Sequence, residues 1–133
     1  MTDVLMPVLS TIRFPQGIPG FGTLREARCE PWGGDESPFV LLSAEEPSVR
    51  FVVAPPHIFF PSYRPEVPAD VRADLGLADG EGLLLVILTL GSGPADTTAN
   101  LLGPLVVNPA TGRARQAVLN AAEWSPRTPL LAT

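Results

Sequence analysis

The longest apolar run in the chain, Leu83-Leu84-Leu85-Val86-Ile87-Leu88-Thr89-Leu90, has no polar position before Thr89. A strand that is apolar on both faces must be covered on both, so this segment is expected at the centre of the fold. Two further apolar stretches follow, Thr98–Asn108 and Gln116–Leu119, separated by turn-forming residues. The three together read as a β-meander. Asn108–Arg113 supplies a hairpin turn with Gly112 available for a positive φ, and Trp124–Leu130 reads as an extended tail.

Upstream of the run, Leu9, Ile12 and Phe14 mark a lead-in and a first strand. Phe39–Ser43 and Val49–Val53 flank the five-residue connection Ala44–Ser48, a spacing suited to a hairpin. Tyr63–Val67 is expected to add a short strand, and Thr23–Glu30 fits either a short strand or an irregular crossing. Only one segment has a helical pattern. Pro68 suits a helix start, Val71 and Leu75 share a face, and Gly76 is placed as a stop, which predicts one short helix near residues 69-75.

The chain has 133 residues, 45% of them hydrophobic, with 16 prolines and 12 glycines. That length fits a single domain spanning 1-133, and the Pro and Gly content favours short strands and turns over long helices. The fold class read from the residues is mostly β. The only cysteine is Cys29, which excludes an intramolecular disulfide and fits a reducing compartment. No basic segment followed by an apolar one precedes the fold, and no apolar run approaches the ~18 residues of a membrane span. A cytoplasmic location without membrane attachment is expected.

The net charge is −5, and all nine basic residues are arginine. An acidic chain without a basic cluster in its sequence is a poor candidate for direct nucleic-acid binding, because phosphate neutralisation supplies most of non-specific affinity. Its acidity suits a basic protein partner and suits ordinary solubility equally.

The candidate chemistry is sparse. Gly17, Gly20 and Gly22 lie in a Gly- and Pro-rich loop, but the helix that a phosphate loop requires does not follow them, and Pro19 lies between the first two glycines. A tight turn with Phe14 and Phe21 in the core is the better reading. Gly91-Ser92-Gly93 is short of a dinucleotide fingerprint and is followed by strand. His57, the only histidine, has no partner set for zinc or general-base work, and no nucleophile motif surrounds a Ser or Cys. Asp35-Glu36 and Glu45-Glu46 are expected in loops as solvated charge. No enzyme activity, metal or cofactor is expected, and the residues point to a binding module.

Five blocks in order resemble the flagellar assembly factor FliW family. They are Phe14-Pro15-Gln16-Gly17-Ile18-Pro19-Gly20-Phe21, Pro38–Ser43, Phe51–Pro55, Phe59-Phe60-Pro61-Ser62-Tyr63, and Thr98–Asn108 followed by Gly112 and Gln116. They cover nearly the whole chain. Leu42 stands where the family pattern suggests Gln, Gly103 where Ala is usual, and Trp124 where Tyr is common. The last two changes are expected to be neutral for the fold, whereas Leu42 removes a possible polar contact.

The resemblance implies a small β-barrel-like protein with a minor helix. It also implies a cytoplasmic chaperone that binds newly made flagellin and, when flagellin is exported, binds the translational regulator CsrA and relieves repression of flagellin translation. Such a protein is expected to be a monomer when free. For partner contact the candidate residues are Phe59, Phe60 and Tyr63, an aromatic patch, with Asn100, a polar residue in an apolar stretch. Aromatic anchors commonly carry interface energy and line grooves that take amphipathic helices. The competing reading puts the aromatics in the core and has Asn100 satisfying neighbouring backbone groups. At the level of function, the alternative is a β-barrel with a small-molecule pocket or a divergent enzyme.

Overall fold

The structure is a computed structural model that describes residues 11–18, 24–33, 39–44, 49–78, 82–119 and 124–130. Leu9, Phe21, Gly20, Gly22, the two acidic pairs and most of the Ala44–Ser48 connection lie outside these residues. The strands are β1 (Thr11–Arg13), β2 (Glu26–Pro31), β3 (Val40–Ala44), β4 (Val49–Ala54), β5 (Leu83–Thr89), β6 (Thr98–Ala99), β7 (Leu105–Asn108), β8 (Arg113–Gln116) and β9 (Thr128–Pro129). The helices are α1 (Pro56–Phe59) and α2 (Ala69–Leu75), with a 3-10 turn at Pro94–Asp96.

Seven strands close into a barrel in the order β4-β3-β2-β1-β8-β7-β5, with β5 returning to β4. All neighbouring pairs are antiparallel except β1 and β8, which meet in parallel at Arg13 and Arg113. Strand β5 has the most partners. Leu83–Leu85 pair with β7, Val86 and Ile87 with β4, and Leu88 and Thr89 with β6. Strand β9 then pairs with β6 as a small flap on the barrel wall.

Side-chain alternation along β5 explains the apolar run. Leu83, Leu85 and Ile87 face a barrel interior that contains Ile12, Phe14, Leu24, Leu42, Phe51, Val53 and Leu105. Leu84, Val86 and Leu88 face outward and are covered by an outer layer that includes Tyr63, Ala99, Leu101 and Leu130. A third cluster places Val71 and Leu75 of α2 over Val106 and Ala117. Period-two alternation thus puts apolar side chains into two separate cores, and no polar face remains.

Helix α2 occupies the predicted residues. Gly76 closes it in the left-handed region, φ 70° and ψ 35°, with its amide donating to Ala73 and the Leu77 amide to Arg72. The helix end is tied to the barrel by Asn108, whose buried Nδ2 donates to the Leu75 carbonyl at 2.8 Å. On its exposed side Arg115 of β8 lies 3.4 Å from Asp70 and 3.6 Å from Asp74.

Four sequence expectations are corrected. Thr98–Asn108 is two strands, because Asn100 turns the chain between them, and so β5, β7 and β8 form the meander while β6 branches to β9. The last meander strand is Arg113–Gln116, starting immediately after Gly112 at φ 77°. Ala117 and Leu119 continue the association through amide bonds to Pro104 and Leu102. Tyr63–Val67 makes no strand, since Pro65 interrupts it. The Trp124–Leu130 tail is docked through β9 and through the Leu101 amide bond to Ser125.

Candidate functional site

The aromatic segment after β4 begins with one helical turn. Pro55 precedes it in extended conformation, Pro56 occupies the first helical position with φ suited to a helix start, and Phe60 ends it by donating to the Pro56 carbonyl at 2.8 Å. In extended backbone the adjacent Phe59 and Phe60 would point to opposite faces. In the helical turn they instead lie side by side, with ring centroids 6.5 Å apart. Both are half-buried against the outer core layer.

The ring series extends beyond the residues expected from sequence. Phe59 stacks on Phe39 at 5.7 Å, and Phe39 meets Trp32 edge-on at 6.1 Å. The Trp32 amide also donates to the Phe39 carbonyl, which holds the end of β2 beside the start of β3. Trp32 is 37% exposed, and Ile58, projecting from α1, is 48% exposed. The rings of Trp32, Phe39, Phe59 and Phe60 form a continuous series, and Ile58 is exposed on the same helical turn as Phe59. Trp32 and Phe39 are the members that sequence reasoning missed. A tryptophan in a Gly-rich loop was the available signal, since large aromatics in loops are a common feature of interfaces.

Tyr63 and Asn100 occupy a different layer. Tyr63 is 6% exposed, its hydroxyl donates to the Leu101 carbonyl at 2.6 Å, and its ring meets Trp124 edge-on at 4.7 Å. Burial pushes the phenol above its ordinary titration range. Asn100 is half-buried, and its Oδ1 accepts from the amides of Leu102 at 3.0 Å and Gly103 at 2.9 Å. This side-chain turn is the device that separates β6 from β7. Tyr63 and Asn100 are joined through Leu101, beneath and beside the aromatic surface.

The departures from the family pattern can be placed in space. Leu42 is fully buried in the barrel, opposite Cys29 and Phe51, so its side chain meets only its own chain. Gly103 is tighter than its expected neutrality implies. A Cβ there would fall 2.7 Å from Gln116 Nε2, and Gln116 donates through that nitrogen to the Gly103 carbonyl. Alanine would force this amide to move. Trp124 packs in both outer clusters.

Among the described residues, no three His, Cys, Asp or Glu side chains converge as a metal site would require. His57 is exposed on α1. Cys29 is half-buried among barrel side chains, and burial raises its thiol from an ordinary value near 9.0 to about 11. This suits an inert packed thiol and not a nucleophile. No helix among the described residues is long and apolar enough to cross a membrane. Among the described residues the feature that stands out is the half-exposed aromatic surface.

Comparisons with known proteins agree with one another. A family model described as "FliW protein" matches residues 4–130. The flagellar assembly factor FliW of Moorella thermoacetica is 32% identical over 118 residues, covering 87% of this chain and 75% of that protein. That of Syntrophotalea carbinolica is 36% identical over 124 residues, covering 91% and 86%. A crystal structure of a flagellar assembly factor FliW superposes with a TM-score of 0.83 at 29% identity, covering 93% of this chain and 87% of the other.

Proposed function

The chain belongs to the FliW family of flagellar assembly factors, and on that premise we propose that it is a cytoplasmic, non-enzymatic partner switch. It binds newly made flagellin as a chaperone. When flagellin is exported it binds CsrA, so that flagellin level controls flagellin translation. The observation that carries this reading is the match along residues 4–130, which includes the segments that build the aromatic surface.

We place the partner contact on Phe59 and Phe60, with Ile58, Phe39 and Trp32 extending it. Tyr63 and Asn100 contribute from below. Tyr63 holds the Leu101 carbonyl, and Asn100 fixes the turn beside it, so the two set the support on which the outer rings lie. A series of half-exposed aromatics beside an exposed isoleucine has the composition of an interface core, and an amphipathic helix is the matching ligand. The acidity of the chain, −5 overall, complements a basic partner such as an RNA-binding regulator.

A small-molecule pocket in the barrel has less support. Phe14, Ile12, Leu24, Leu42, Leu85 and Leu105 are fully buried and occupy the interior, so a ligand would have to displace them. The deciding experiment is size-exclusion chromatography with the source organism's flagellin and CsrA, separately and together. Co-elution with each, with flagellin displacing CsrA, is expected. Phe59→Ala with Phe60→Ala should weaken at least one complex about tenfold or more, as hot-spot aromatics do. Failure of folded protein to co-elute with either partner removes the proposal. Unchanged affinities in the double variant remove the site while leaving the function.

A further inference from the structure

The arginines, scattered in sequence, converge on the barrel wall. Arg28 of β2 is the register partner of Ser43 in β3, and Ser43 is the partner of Arg50 in β4; Thr11 of β1 completes the row. The neighbouring positions Ile12, Ala27, Leu42 and Phe51 all point into the barrel core, so this row faces outward. Arg28 and Arg50 are exposed. Arg13 continues the arc on β1 and is the partner of Arg113 on β8, its guanidinium donating to the Thr111 carbonyl at 3.2 Å. Four of the nine arginines of an acidic chain thus lie on one strand-built face.

This face is separate from the surfaces where side chains already cover the barrel. The outer clusters lie over β5, β6, β7 and the far ends of β3 and β4, whereas the arginine row crosses the other ends of β3 and β4. Among the described residues the ion pairs are those of Arg115 with Asp70 and Asp74. Arg28 and Arg50 do not take part in them. Two exposed guanidinium groups held on strands, neither in an ion pair among the described residues, can each take a carboxylate supplied from outside.

We propose that the outer face of β1 to β4 is a second docking surface, for an acidic helical segment of a protein partner. Arg28 and Arg50 stand two strand spacings apart, about 10 Å. Carboxylates seven residues apart on a helix are separated by nearly the same distance, about 10.5 Å. Such a helix laid across the strands sets one carboxylate on each guanidinium. Glu26, the register partner of Arg13, and Glu30 flank Arg28 on the same face of β2, so they oppose the unbroken charge of a polyphosphate more than two carboxylates spaced to meet Arg28 and Arg50 alone. The inference is independent of the flagellin and CsrA reading.

The test uses the full chain and a labelled 16-residue alanine/glutamine peptide bearing two Glu seven positions apart, read by fluorescence anisotropy and by amide NMR. Binding is expected to shift the Arg28, Ser43 and Arg50 amides and to weaken with added salt. Arg28→Ala with Arg50→Ala should lower affinity about fivefold, as the loss of two exposed charge pairs allows. Arg64→Ala with Arg127→Ala, exposed arginines outside the row, should leave it unchanged. Equal losses in the two double variants would overturn the proposal, as would no shift at the row. Tighter binding of an oligouridylate would make the face a nucleic-acid surface. A dimer abolished by Arg28→Glu with Arg50→Glu would make it a contact between copies.

Discussion

Loss of the Tyr63 hydroxyl leaves the buried Leu101 carbonyl without its 2.6 Å donor. Tyr63→Phe is therefore expected to cost about 1–2 kcal/mol, seen as a lower urea midpoint with an unchanged slope. Cys29 tests the barrel interior by a different route. Burial disfavours its thiolate, so alkylation of the native protein should be slow at pH 8 and should keep rising with pH towards 11, past the value of 9.0 at which an ordinary thiol levels off. Linkage has the same sign. The folded thiol holds its proton more tightly, so its contribution is full below pH 9 and is lost as pH rises towards 11. Fast, plateaued labelling at pH 9 would mean that Cys29 is not packed as described.

At the scale of elements, α2 depends on its ends more than on its length. Seven residues are too few to be stable alone, so the αL cap, the Asn108 bond and two buried side chains hold it in place. Nothing lies within 4 Å of a Cβ built on Gly76, so the cost of Gly76→Ala comes from its φ of +70° alone. About 1 kcal/mol is expected, by thermal denaturation. Gly91 fails differently. A Cβ there would fall 2.6 Å from the Asp96 carbonyl oxygen, in the 91–97 loop that Thr97 ties to Gly91 and Gly93. Gly91→Ala should therefore be the more destabilising of the two.

Across the whole molecule the barrel has one weak seam. Among the described residues, strands β1 and β8 share a single bridge, reinforced by the Arg13 amide bond to Gly112 at 2.8 Å, and it joins positions 100 residues apart in the chain. Closing so long a loop carries a large entropic cost for few hydrogen bonds. The Arg13 amide should therefore exchange with solvent at lower opening free energy than amides of the β3–β4 ladder, which has five register pairs. Equal protection at both places would show that the barrel opens only as a unit. Leu85→Ala, at the centre of the interior, should destabilise the molecule by about 3 kcal/mol in urea denaturation.

The sequence alone determined what depends on neighbours along the chain. The apolar run at 83–90 gave the central strand and its two-sided cover, because alternation is a local property of extended backbone. Pro68 and Gly76 bounded α2, and Gly112 closed the last hairpin, because positive φ and fixed φ are properties of single residues. The ordered family blocks identified the family. Only tertiary structure decided the rest. One turn of helix at Pro56–Phe59 is too short to show a period, and it is what sets Phe59 beside Phe60. Trp32 and Phe39 joined that surface through ring contacts across β2, β3 and α1. Asn100 became a turn because two amides two and three residues ahead were free to be capped. Arg28 and Arg50, 22 positions apart, became neighbours on one face through strand register, which depends on the pairing of whole strands and which no residue specifies by itself.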